Sequence, residues 1–347
     1  MPATDHVHYD PYLIDGSGAF GDSVAPAPVQ DLLKVSPQMR AFVQDAIGDS
    51  TFPHVKFRRL MQDLQGEGFF ANQYDQSATF SASQTFDSKS GNCVAYTNLF
   101  IALAREADLQ ANYQLVRVPP RWELDSGLLQ RVNHINVHVR GVRLPGAGSD
   151  ELSVDFNLVK PRADIPTQRI TDAHAASMFY GNLAVEHMGA GDHQQAFAYL
   201  KRAILTAPKN TDVWTNLGAL YSMLDRQTFA EDAYRVALSI DPKDQAANAG
   251  LVRSLLKQGR DAEAQTYEQI VRRYQRRNPY YQYALAERAF SNGAFDQALD
   301  AINRAIRLKR QNPEFYALRA ATARELGDER LLTQSLRLQK HYSSNES

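Results

Sequence analysis

The chain has a single cysteine, Cys93, and it sits where a nucleophile can be made. Ser90-Gly91-Asn92 precedes it, and Val94 to Ala107 follows with helical periodicity, carrying Leu99, Phe100, Ala102 and Leu103. Asn92 or Ser90 is the expected N-cap, which places Cys93 in the first turn of a helix. Unpaired amides and the helix dipole favour an anion there, so a thiol at that position is expected to ionise more readily. Free cysteines are also among the most buried and inert residues, so position alone leaves both readings open. Further on, Val132 to Val139 and Leu152 to Leu158 alternate with period two, as strands do. Ile135, Val137 and Val139 share one side of the first; Leu152, Val154, Phe156 and Leu158 share one side of the second. Those sides form the core face. The opposite face then carries His134, Asn136 and His138 against Ser153, Asp155 and Asn157. A hairpin that pairs His134 with Asp155 turns near residues 144–145, inside the Pro145-Gly146 loop. Opposed side chains then have Cβ atoms about 4.5–5.5 Å apart, near enough for imidazole to meet carboxylate. His138, the alternative base, faces Glu151 in that register. Thiolate, imidazole and carboxylate together attack a carbonyl, shuttle a proton and fix the tautomer. The Cys93 backbone amide is the expected first donor to the oxyanion.

The elements that must hold these groups form an α+β domain over residues 25–172, preceded by a flexible segment, 1–24. Helices are expected from Pro28 to Val35, Pro37 to Ala46 and Val55 to Gln65, and an ordered polar loop from Tyr74 to Lys89. The cysteine helix ends at Ala107-Asp108-Leu109, where Asp108 can take the left-handed conformation. Tyr113 to Val118 reads as a strand closed by Pro119-Pro120.

Residues 173–343 are internally periodic. Pro208 and Pro242 lie 34 residues apart, with Ala196 and Ala230 twelve residues before them and Ala203 and Ala237 five before. Tyr180, Leu183, Ala184 and His187 match Trp214, Leu217, Gly218 and Tyr221. A third unit stretches to Pro279, 37 residues beyond Pro242, so its second helix should be longer; two more follow. This pattern resembles the tetratricopeptide repeat: an all-α solenoid of four to five helical hairpins. No hairpin can bury its apolar side alone, so the units stack. The resemblance implies a concave face that binds a protein or peptide ligand, with Asn182, Asn216 and Asn248 as candidate lining residues; each could equally cap or bridge hairpins.

A Gly-Asn-Cys helix start (91–93), a strand with Asn133-His134 and a strand with Val154-Asp155-Phe156 resemble, in that order, the transglutaminase-like branch of the papain-like cysteine hydrolases. The resemblance covers roughly residues 55–160, and fusions of such a domain to tetratricopeptide repeats are a familiar bacterial arrangement. It implies Cys93 as nucleophile, His134 as general base and acid, and Asp155 as the residue that orients the imidazole. It also implies a polar oxyanion donor shortly before the cysteine, for which Gln84 is the candidate. Hydrolysis by a peptidase or amidase, acyl transfer to an amine, and an inactive domain in a protein-binding scaffold are all compatible with it.

With 38 Lys plus Arg against 39 Asp plus Glu, the chain offers no general electrostatic reason to bind nucleic acid or an anionic membrane. No apolar run approaches the length of a membrane span. His6, His8 and Asp10 lack a fixed-spacing partner for a metal, and there is no phosphate-binding loop, so neither metal nor cofactor is expected. As it stands the N-terminus lacks a secretory signal, which gives a cytoplasmic expectation; a periplasmic or secreted protein is expected if a signal was removed.

Overall fold

The computed structural model describes residues 7–69, 75, 78–116, 121–123, 128–130, 134–143, 149–156 and 166–343. Pro11–Ile14 forms a 3-10 turn, and α1 (Ser17–Phe20) one further turn. Helix α2 (Pro37–Ile47) opens with Pro37 after the cap Ser36, whose Oγ accepts the Met39 amide at 3.2 Å. Helix α3 (Pro53–Gly66) follows. Pro28–Val35 is not helical: its backbone is spent on other segments, Gln30 N donating to the Tyr180 hydroxyl and Leu32 accepting from Ala82 N. The expected loop at 74–89 contains a short helix, α4 (Ala82–Ser88), nucleated by a capping box between Ser81 and Gln84.

Helix α5 (Cys93–Glu106) is buried from Val94 through Ala104 on every side, so it is the axis about which this region packs. It ends at Asp108, whose φ of 58° is the left-handed cap expected. Strand β1 (Gln110–Val116) is followed by a small ribbon of β2 (Arg121–Glu123) and β3 (Leu128–Gln130), then β4 (His134–Arg140), β5 (Glu151–Val154) and β6 (Thr167–Arg169). The main sheet is antiparallel throughout, in the order β5-β4-β1-β6, and α5 packs against β1 and β4. The second strand expected here extended to Leu158; β5 ends at Val154, and 157–158 lie outside the described residues, as does the 145–146 turn.

Among the described residues ten helices follow, in five antiparallel hairpins: α6 (Asp172–Gly189) with α7 (His193–Thr206), α8 (Thr211–Met223) with α9 (Gln227–Ile240), α10 (Gln245–Lys257) with α11 (Asp261–Arg277), α12 (Pro279–Ser291) with α13 (Phe295–Leu308), and α14 (Pro313–Glu325) with α15 (Glu329–Ser343). The all-α solenoid class is therefore as expected. Helix α11 has 17 residues where α7, α9 and α13 have 14, which absorbs the longer interval to Pro279. Small residues mark the helix crossings: Ala184, Ala196, Ala203, Ala230 and Ala237 are all fully buried. A Cβ added at Gly218 would meet the Tyr234 ring at 2.6 Å, and that ring is itself buried. Gly218→Ala is accordingly expected to destabilise the protein by about 1–3 kcal/mol in chemical denaturation. A loss below about 0.5 kcal/mol would mean the ring has room to shift.

By contact the chain forms two compact units, Met1–Val118 with Asn133–Pro242, and Pro119–Val132 with Lys243–Ser347. In the first, the N-terminal segment does not hang free. Tyr9 packs on Trp214 with ring centres 4.7 Å apart, and Phe20 meets Phe197 edge-on at 5.5 Å. The Tyr221 hydroxyl donates to the Leu13 carbonyl at 2.7 Å, and Lys201 and Arg202 donate to those of Val24 and Ala27. The segment lacks an apolar period, which is why it reads as flexible. It docks instead through isolated side chains, with Leu13, Ile14, Val24 and Ala27 buried.

Candidate active site

Asn92 caps α5, its Oδ1 accepting the Ala95 amide at 3.1 Å, and Cys93 is the first helical residue and half-buried. The cap is held from behind: Asn92 N donates to the Ala78 carbonyl at 2.9 Å and its side-chain amide to Thr79 Oγ1 at 2.7 Å.

The β4–β5 ladder pairs Val137 with Val154 and His138 with Ser153. It is shifted by two residues from the register in which His134 opposes Asp155. A shift of two keeps every side chain on its expected face, and the pairs still form, now as diagonal neighbours. His134 Nε2 lies 2.6 Å from Asp155 Oδ2, and His138 Nε2 lies 3.3 Å from Glu151 Oε2. Asp155 is the residue immediately after β5. The Asn136 side-chain amide donates to the same Asp155 oxygen at 3.4 Å, a second fixing contact.

The two histidines differ in their acids. The His134 and Asp155 side chains are both less than a tenth exposed, whereas Glu151 is about half exposed (47%). His134 meets Asp155 through Nε2, and the Cys93 thiol is close enough to act on the charge of the ring. Asp155 takes Nε2, so Nδ1 is the ring nitrogen left for the thiol. Burial disfavours the imidazolium, but the hydrogen bonds to Asp155 and Cys93 and the charge of both partners outweigh it, and the pKa of His134 is raised to about 9. The arrangement can hold a protonated imidazole against a thiol and return that proton to a leaving group.

Cys93, His134 and Asp155 thus come together, and Gln84 does not join them. Its side chain is exposed and its Oε1 accepts from Ser81 N at 3.0 Å and Ser81 Oγ at 2.8 Å, which is the work of a helix cap. Asn248 is 1% exposed, with its amide donating to the Asp244 carbonyl at the start of α10, which is the capping alternative. Asn182 and Asn216 remain half-buried on first helices of their hairpins. A cavity of about 450 Å³ under the N-terminal segment, lined by His8, Asp10, Tyr12, Phe229, Asp232 and Arg235 among others, takes no part in the surroundings of Cys93. No helix among the described residues is long and apolar enough to cross a membrane.

Asn136 was visible in the sequence as a polar residue between two histidines, but only the observed register brings it to Asp155. The contacts behind Asn92 have no sequence signal, since they join residues from two separate segments, 78–79 and 92.

Residues 40–181 match the family model of the transglutaminase-like superfamily core, and residues 182–245 and 230–288 match models of the tetratricopeptide repeat. No curated protein matches the chain. Among solved structures, MamA (residues 41 to the end) from Desulfovibrio magneticus RS-1 is 14% identical and aligns with 50% of this chain and 97% of its own, with a TM-score of 0.28. YrrB, described as a tetratricopeptide protein with an unusual peptide-binding site, is 14% identical over 48% of this chain and 86% of its own, at 0.28. BtubC from P. vanneervenii is 16% identical over 50% and 82%, at 0.29. The chain is a transglutaminase-like core domain followed by tetratricopeptide repeats, with the boundary between the two matches falling inside α6.

Proposed function

We propose that the protein is a cysteine-dependent acyl-transfer enzyme whose repeats hold a protein or peptide partner. Water as acceptor makes it a peptidase or amidase; an amine as acceptor makes it an acyltransferase. The observation that carries this reading is the buried imidazole of His134, held by Asp155 at 2.6 Å and close enough to Cys93 for the thiol to raise its pKa. The Cys93 thiolate attacks the carbonyl carbon of an amide, and the oxyanion is met by the Cys93 amide at the open end of α5. The His134 imidazolium gives its proton to the departing amine as the carbon–nitrogen bond breaks, leaving a thioester. Neutral His134 then takes a proton from the incoming water or amine, which displaces the thiolate. Asp155 holds the ring in orientation throughout and stabilises its charge.

The test compares iodoacetamide alkylation of Cys93 at about pH 6 in the wild type, His134→Gln and His138→Gln. The wild type and His138→Gln should react rapidly and His134→Gln on the order of 10²-fold more slowly. Equal rates in wild type and His134→Gln would leave the chain as a binding scaffold.

A further inference from the structure

The contacts behind the Asn92 cap lead out of the core domain into the first repeat. Thr79 Oγ1 accepts from the Asn92 side-chain amide and donates to Glu186 Oε1, near the C-terminal end of α6. Its one hydroxyl proton and one lone pair are thereby both committed, and Thr79 and Asn92 are each about 5% exposed. At its other end α5 is tied to the same helix. Arg105 forms a two-pronged ion pair with Asp172, at 2.6 and 2.9 Å, while its Nε donates to the Ala111 carbonyl. Helix α6, which opens the repeats, therefore grips α5 at both ends. The Asp172 contact is at the surface and contributes little by itself. The other contact is part-buried and joins side chains in series: without Glu186 the Thr79 hydroxyl loses that acceptor, and without Thr79 the buried Asn92 amide loses its own.

We propose that Glu186 is a positioning residue for Cys93, acting through Thr79 and Asn92, so that the first repeat helix sets the geometry of the nucleophile. This rests on the reading of Cys93 as a nucleophile. The Asn92 Oδ1 that caps α5 and the Nδ2 held by Thr79 belong to one planar amide, so rotation of one moves the other. A turned amide uncaps the first turn of α5 and displaces Cys93 from the His134 ring. Glu186 touches no substrate and exchanges no proton in this role; an uncharged acceptor of the same shape serves equally.

The test measures Cys93 alkylation by iodoacetamide against pH in the full-length protein with Glu186→Ala, Glu186→Gln, Thr79→Val and Thr79→Ser, with melting temperature followed in parallel. Glu186→Ala and Thr79→Val should slow the reaction about tenfold at pH 6 and shift its pH profile to higher pH. Glu186→Gln and Thr79→Ser, which keep an acceptor and a hydroxyl, should restore both. A general loss of packing would lower the melting temperature without separating the conservative pair from the disruptive pair. Wild-type profiles in Glu186→Ala and Thr79→Val would overturn the proposal while leaving the nucleophile intact. A wild type that itself reacts no faster than its His134→Gln variant would instead overturn the reading beneath it.

Discussion

Asp155→Asn is expected to lower turnover on the order of 10³–10⁴-fold while leaving the fold intact. The shapes of the two side chains are alike, so the void and the packing do not change. The hydrogen-bonding character does. The carboxylate accepts from His134 Nε2 at 2.6 Å and from the Asn136 amide at 3.4 Å, and both donors point at the same oxygen, Oδ2. An asparagine can still accept through its oxygen, but its amide end, turned toward the ring, holds the imidazole in the tautomer that keeps the proton at Nδ1, facing the thiol. It also supplies no charge to balance the imidazolium. Steady-state kinetics on any amide substrate checks this, with circular dichroism confirming the fold. A loss of less than about tenfold would mean that the ring is oriented by other groups.

The second large effect is on pH. The pKa of His134 stands at about 9 against an ordinary 6.5, so the folded protein holds this proton more tightly than the unfolded chain does. The stabilisation is fully present below about pH 6.5 and is lost as pH rises through about 9. The proton that His134 delivers to the leaving group disappears over the same interval. Activity should therefore show an alkaline limb centred near pH 9, and chemical-denaturation stability should fall across the same window. In Asp155→Asn both the limb and the stability loss should move toward lower pH, because the strongest contact holding the proton is gone. An alkaline limb at the same place in both proteins would show that another group is titrating.

Much of this site was legible from residue order alone. The helix cap, the position of Cys93 and the alternation of β4 follow from local rules, and parity alone places His134, Asn136 and His138 with Asp155. Pairing unlike charges directly across the ladder gives a register two residues away from the observed one. The ladder instead follows the core pairs, Val137 with Val154 and Val139 with Leu152, and the ion pairs then form diagonally. Gln84 follows a similar local preference: a glutamine three residues after Ser81 satisfies a capping box before any distant oxyanion. The repeats announced themselves because one packing solution recurs every 34 residues. The docking of residues 7–27 and the contact from Asn92 to Glu186 did not, since both depend on single residues brought together from far apart in the chain.

Catalysis at this site requires that Cys93 become acylated. The most direct measurement is mass spectrometry of the Cys93 peptide after brief exposure of the protein to cell extract and acid quench. The prediction is a hydroxylamine-labile mass increment on Cys93 that is absent from Cys93→Ala and from His134→Ala, the identity of the acyl group naming the substrate. An unmodified Cys93 in protein that still binds its partner would contradict it.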